Sequence, residues 1–234
     1  MADISVLTDG SGVGKVLVTF ALRHEGAPFA RRLTRRAVKN GLALGHRGTQ
    51  EIAVCWLGVG VENLELFERT VAELRPHLII NSGFAGGIRS LLEAGDFVLA
   101  KNYSSPETLV GTSHVFSASG NLVSVTGIVG PETKARLRLQ GNILAIDMET
   151  ERVATICRKL AVPLLTARMI SDRADEALPS VFVGGKLQGL EDVFHAIHFA
   201  GRMLVLREKL ATRLCHLIEE LIRESASNGV HSCA

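Results

Sequence analysis

Neither sign of charge is in excess: 26 Lys and Arg balance 24 Asp and Glu, leaving a formal net charge of +2. A nucleic-acid or anionic-membrane partner calls for concentrated basic charge, so neither is expected. The basic residues Arg31, Arg32, Arg35, Arg36 and Lys39 are read as the solvated face of an early helix. Cysteine is scarce and scattered (Cys55, Cys157, Cys215 and Cys233), with no Cys-x-x-Cys. Three of the four stand in apolar contexts, as buried thiols do, and a reducing cytoplasm is the expected location. His195 and His198 are three residues apart but lack further ligands nearby, so no metal is expected. The chain shows no signal-peptide pattern, and no apolar run is long enough to span a bilayer. Aromatics make up only 5% of the residues, whereas hydrophobic residues make up 47% and Gly numbers 23. That balance suits an α/β protein whose strands are buried Val, Ile, Leu and Ala.

Apolar stretches alternate with helical patterns along the chain. Strands are expected over 15–22, 51–57, 77–81, 96–100, 122–126, 143–147 and 162–170. Helices are expected over 26–40, 61–74, 132–139, 150–160 and 190–225. The last carries Leu206, Leu210, Leu214, Leu217 and Leu221 at three-four spacing. This order predicts an α/β fold of three layers, a mixed, mostly parallel central sheet flanked by helices, in one domain over 1–234. Residues 1–14 are expected to be a polar, flexible tail. Within it, Asp9-Gly10-Ser11-Gly12-Val13-Gly14-Lys15 lacks the Gly and Ser/Thr that a phosphate loop needs at positions 9 and 16, and it precedes a strand. It reads as a turn. Segments 101–121 and 176–190 lack element signals, as lids and specificity loops do.

The chemistry-bearing residues follow apolar strands. Ile146-Asp147-Met148-Glu149 ends one strand, and Arg168-Met169-Ile170-Ser171-Asp172 ends the next, with a helix between. A strand-helix-strand unit is expected to run its two strands parallel and deliver both ends to one sheet edge, where ligands bind in open α/β sheets. Glu149 and Asp172 are then expected to face one cleft. Glu25 follows the first strand, Gly58-Val59-Gly60 the second, and the turn Ser82-Gly83-Phe84-Ala85-Gly86-Gly87 the third. Each has a plainer reading: Glu25 and Glu149 as helix-start acids, Asp172 as a cap, the glycines as tight turns. Their recurrence at one edge favours a site.

These motifs carry a resemblance. Met148-Glu149, Arg168-x-x-Ser171-Asp172-x-Ala174-Asp175, the Ala21-x-x-x-Glu25 ending and Gly83-Phe84-Ala85-Gly86-Gly87 resemble the purine nucleoside phosphorylase and uridine phosphorylase superfamily. The closest branch is the 5'-methylthioadenosine/S-adenosylhomocysteine nucleosidases. The resemblance implies hydrolysis of the N-glycosidic bond of a 5'-substituted adenosine without a cofactor, in a homodimer. It implies that Asp172 protonates or hydrogen-bonds purine N7 and that Glu25 is the base acting on water, with Arg168 near that water. Glu149 would hold the ribose hydroxyls with Met148 under the sugar. Ser171 would place Asp172, and Ala85 and Gly86 would lie near base and nucleophile. An Arg in place of Glu25 holds phosphate in the related phosphorylases, so phosphorolysis is the alternative this carboxylate disfavours. Two positions depart from the nucleosidase pattern. Phe84 stands where a small Ser or Thr is usual, and Val129 or Ile128 stands near the purine where an aromatic is usual. Phe84 leaves open a nucleoside-binding protein without turnover. The segment from Ala174 to Pro179 with Gly184-Gly185-Lys186 resembles a hopanoid-associated branch that acts on adenosylhopane; futalosine hydrolase is a third relative.

Overall fold

The computed structural model describes residues 14–39, 41–109, 112–179 and 190–230. The elements run β1 (Val16–Phe20), α1 (Arg23–Arg31), β2 (Thr34–Lys39), β3 (Leu42–Arg47), β4 (Gln50–Trp56), α2 (Leu64–Leu74), β5 (Leu78–Gly87) and β6 (Phe97–Ala100). Then follow β7 (Ala118–Ser124), α3 (Pro131–Arg138), β8 (Ile143–Asp147), α4 (Thr150–Lys159), β9 (Leu164–Asp172) and α5 (Leu190–Val230). The nine strands form one mixed sheet in the order β2-β3-β4-β1-β5-β8-β7-β6-β9. Because β9 also pairs with β5, the strands β5, β8, β7, β6 and β9 close on themselves while β1 to β4 extend as an open wing.

The layers follow from strand alternation. Val16, Val18 and Phe20 of β1 face Phe29 and Ala30 of α1 and Leu206, Leu210, Leu214 and Leu217 of α5. Leu17 faces the opposite way, toward Phe67 and Val71 of α2 and Val153, Ile156 and Cys157 of α4. Inside the closed part, Ala85, Val98, Leu122, Leu144 and Ile170 pack together. The leucine stripe of α5 is therefore core from Leu206 onward. The earlier half of the helix exposes Phe194, Ile197, Leu204 and Val205.

Four expectations are corrected. The helix expected over 26–40 is α1 followed by β2, which pairs antiparallel with β3. The basic residues accordingly divide, with Arg31 on α1 and Arg35, Arg36 and Lys39 on an exposed edge strand. Charge on an edge opposes pairing with other chains, and the overlooked signal was Asn40-Gly41, a preferred hairpin pair. Residues 82–87 are not a turn but the second half of β5. Finally, β8 and β9 are not parallel neighbours. Both pair with β5, β9 in parallel and β8 antiparallel through Gly86↔Ile146 and Gly87↔Ala145. Their C-terminal ends still meet, because β8 descends onto the C-terminal end of β5 while β9 ascends beside it. Of segment 101–121, three short 3-10 turns and the start of β7 are formed. Most of the turn expected over 9–15, and residues 180–189 of the later loop, lie outside the described residues.

Candidate active site

A cleft of about 260 Å³ opens where these strand ends converge. Leu22 and Glu25 reach it from the β1 end. Phe84, Ala85 and Gly86 reach it from β5, Met148 and Glu149 from the β8 end, and Arg168, Ser171 and Asp172 from β9. Val129 comes from the loop before α3, and Phe199 from α5. The residues to which the resemblance assigns roles, with Phe84 and Val129, are all in this lining; Gly58, Gly60 and Gly87 are not.

Glu25 occupies the first turn of α1, where its carboxylate accepts the Leu22 backbone N–H at 3.1 Å, one half of a capping box. That contact turns the side chain inward, leaving the residue 8% exposed. Burial pushes its carboxyl up to about 7; the Leu22 N–H and the Arg168 charge oppose the rise, and Glu149 adds to it. Gly83 makes room here. Its φ is +142°, and a Cβ would lie 3.4 Å from both Glu25 Oε2 and Arg168 Nη1. Glu25 and Arg168 thus flank one bare stretch of backbone. Ser82 Oγ beside it lines the cleft, buried, with no hydrogen-bond partner among the described residues.

Arg168 is 2% exposed and sits opposite Gly83 in the β5–β9 register. Its Nε donates to Asp147 Oδ2 at 2.9 Å, and Nη2 lies 2.8 Å from the same oxygen. Nη2 also donates to Thr150 Oγ1 at 2.9 Å, which in turn accepts Asn81 Nδ2 at 3.1 Å. Asp147 further accepts Ser124 Oγ at 2.9 Å. The guanidinium is thereby neutralised and held under the cleft floor, the condition on which a charge stays buried.

Glu149 is the residue before α4 and is half-buried. Its Oε1 accepts Gly60 N–H at 3.1 Å and its Oε2 accepts Met148 N–H at 3.3 Å. The glycine turn after β4 therefore grips this carboxylate, with Val59 in the lining.

Asp172 closes β9. The β5 partner of Ile170 is Ala85 and that of Asp172 is Gly86, so Ser171 is an extra residue, a bulge. The bulge brings consecutive side chains to the same cleft, where strict alternation would send them to opposite faces. Ser171 Oγ lies 2.5 Å from Asp172 Oδ1 and 3.2 Å from the Ala85 carbonyl oxygen. Asp172 Oδ2 accepts a hydrogen bond from Lys134 Nζ, which also donates to the Arg173 carbonyl at 2.8 Å. Lys134 is the one buried residue of α3.

Sequence reading missed Lys134, Asp147 and Thr150. Lys134 stands among Glu132, Arg136 and Arg138 and reads as one more solvated charge. Asp147 reads as a strand end. The described residues contain no cluster of three or more His, Cys, Asp or Glu that could hold a metal, and no helix among them is long and apolar enough to cross a membrane.

Beside Asp147, which is taken up by Arg168, the arrangement offers three carboxylates around one cleft in three environments: Glu25 desolvated, Glu149 held by backbone N–H groups, and Asp172 ion-paired. Comparison with known proteins bears on the fold that carries it. Residues 12–120 match the family model of the phosphorylase superfamily. An S-adenosylhomocysteine nucleosidase from Streptococcus pyogenes, solved with 5-methylthiotubericidin, superposes with a TM-score of 0.73 at 18% identity, over 91% of this chain and 99% of that one. A 5'-methylthioadenosine/S-adenosylhomocysteine nucleosidase from Neisseria meningitidis, solved with methylthio-immucillin-A, gives 0.70 at 18% identity, over 88% and 99%. Futalosine hydrolase of Helicobacter pylori gives 0.68 at 19% identity, over 89% and 98%. The chain thus matches the phosphorylase superfamily in sequence over residues 12–120 and has, over most of its length, the fold of these nucleosidases.

Proposed function

We propose that the protein hydrolyses the N-glycosidic bond of a 5'-substituted adenosine, of the methylthioadenosine, S-adenosylhomocysteine or adenosylhopane type, releasing adenine and the ribosyl product. The observation that carries this reading is the state of the cations in the cleft. The described lining holds two, Arg168 and Lys134, and each is already paired with a buried carboxylate. A phosphate nucleophile would meet Glu25 with no unpaired cation to hold it there, whereas water needs only a base.

In this reading Asp172 contacts purine N7 and Ser171 orients it. Glu149 binds the ribose hydroxyls above Met148, and its charge stabilises the positive charge that grows on the sugar as the bond breaks. Glu25 takes a proton from the attacking water, and its carboxyl near 7 suits a base working at neutral pH. Arg168 borders that water. The backbone at Ala85 and Gly86 lies against the base, with Phe84 and Val129 as apolar walls. The apolar side chains Ile128, Leu178 and Phe199, also in the lining, suit an apolar 5' substituent.

The test is adenine release from 5'-methylthioadenosine and S-adenosylhomocysteine with and without inorganic phosphate. Release at equal rates, with a free reducing sugar as co-product, is expected. Release only with phosphate, giving a sugar 1-phosphate, would sink the hydrolase reading. We also read the chain as one domain that works as a cytoplasmic homodimer. Buried free thiols at Cys55, Cys157 and Cys215 and the exposed apolar side chains of α5 support this. Light scattering should then give twice the 25.2 kDa chain mass.

A further inference from the structure

Lysine is almost never fully buried unless paired, and Lys134 is 2% exposed, beside an Asp172 that is also 2% exposed. The pair faces the cleft on which the proposed reaction depends. Its room is made by Gly86, where a Cβ would lie 3.2 Å from Asp172 Oδ2 and 3.4 Å from Lys134 Cε. One carboxylate oxygen is covered by the ammonium and the other by Ser171 Oγ. Both oxygens of that carboxylate are thus occupied as acceptors. The proton within reach is on the lysine.

We propose that Lys134 acts through Asp172 as its proton-holding partner, so that the ammonium–carboxylate pair supplies the proton that purine N7 takes as the N-glycosidic bond breaks. This rests on the nucleosidase reading above. The C1'–N9 bond breaks with its electron pair passing to the purine. Asp172 takes a proton from Lys134 and passes it to N7, leaving a neutral amine. Water oxygen bonds to C1', and its proton goes to Glu25. Glu25 then loses that proton to solvent and Lys134 regains one, so the cycle closes with water consumed and no other reactant. The charged groups around the pair are few. Glu176 lies on the segment after β9, where Arg202 holds its carboxylate and the Lys134 charge reaches it. The remaining charges of the cleft are the Arg168–Asp147 pair, Glu25 and Glu149.

The consequence is a leaving-group effect, because the ammonium gives the departing base a proton donor that the carboxylate beside it does not supply by itself. The experiment measures purine release by wild type, Lys134→Met and Lys134→Arg from pH 5 to 9. The probes are 5'-methylthioadenosine and its N7-methylated cation, whose base leaves without needing a proton. With the unmethylated substrate, Lys134→Met should fall about 10²-fold below wild type at pH 8 and lose less at pH 5, where solvent supplies protons more readily. With the N7-methylated substrate the two proteins should agree within a few-fold at every pH. Lys134→Arg keeps the charge but does not release a proton, so it should be slow on the unmethylated substrate throughout. Equal losses on both substrates at all pH values, or no loss, would overturn the inference. If Lys134→Met does not fold, as judged by circular dichroism, full activity of Lys134→Arg on the unmethylated substrate overturns it instead. A wild type inactive on 5'-methylthioadenosine, S-adenosylhomocysteine and adenosylhopane alike removes the nucleosidase reading, and this inference with it.

Discussion

Replacing Asp172 by Asn lowers adenine release by at least about 10²-fold with little change in KM, the scale of a lost general acid. The amide can still hydrogen-bond a purine but cannot pass a proton to N7, so binding persists while bond breaking slows. A second effect accompanies it. Lys134, buried with Asp172 as its ion-pair partner, loses that partner in a dry site. Breaking a buried pair from one side costs roughly 3–5 kcal/mol, which for a chain of this size lowers the melting temperature by on the order of 10 °C. The double variant Asp172→Asn with Lys134→Met separates the two effects. It should regain most of the melting temperature while remaining inactive. A double variant that regained activity with stability would show that Asp172 matters only for folding.

Glu25→Gln has opposite effects on activity and stability. Removing the base should lower turnover about 10²- to 10⁴-fold, while the wild-type kcat/KM should rise with pH through about 7 as Glu25 ionises. For stability the sign follows from the direction of the shift. The folded protein holds the Glu25 proton up to about 7 against an ordinary value of 4.5, so the folded state binds more protons than the unfolded chain between those values. Stability therefore falls as pH rises through that window and stays lower above it. A rise of this size corresponds to about 3 kcal/mol. Gln keeps an oxygen for the Leu22 N–H but never ionises. The variant should match wild type in denaturant unfolding at pH 4 and exceed it by about 3 kcal/mol at pH 8. Equal stability at both pH values would mean that the carboxyl is not desolvated as its 8% exposure indicates. A residue that destabilises the fold in its working state is what a preorganised site predicts.

The ring of strand-terminal acids was legible early because each followed an unmistakable apolar strand. Glu25 stands in the helix that follows β1, Glu149 just after β8 and Asp172 at the end of β9, and strand ends are where an α/β sheet exposes side chains to ligands. The hairpin of β2 and β3 was not legible in the same way. Its basic residues suit a solvated helix as well as an exposed edge strand, and only pairing with β4 decided between them. Nor was Phe84 readable as part of a strand, because the glycines around it resemble a turn.

What the sequence determined by itself was the α/β class, the run of α5 with its leucine stripe, and the residue types gathered at the strand ends. These are encoded locally, in the period of apolar residues and in what immediately follows each run. The tertiary structure alone decided the partners. Strand β5 pairs on one side with β9 and on the other with β8, and that closure brings Asp147 under Arg168 and Lys134 against Asp172. Those pairs are 21 and 38 residues apart in the chain, and nothing in local periodicity records which buried charge neutralises which. That choice belongs to packing, because a charge leaves water only where a distant partner is already in place.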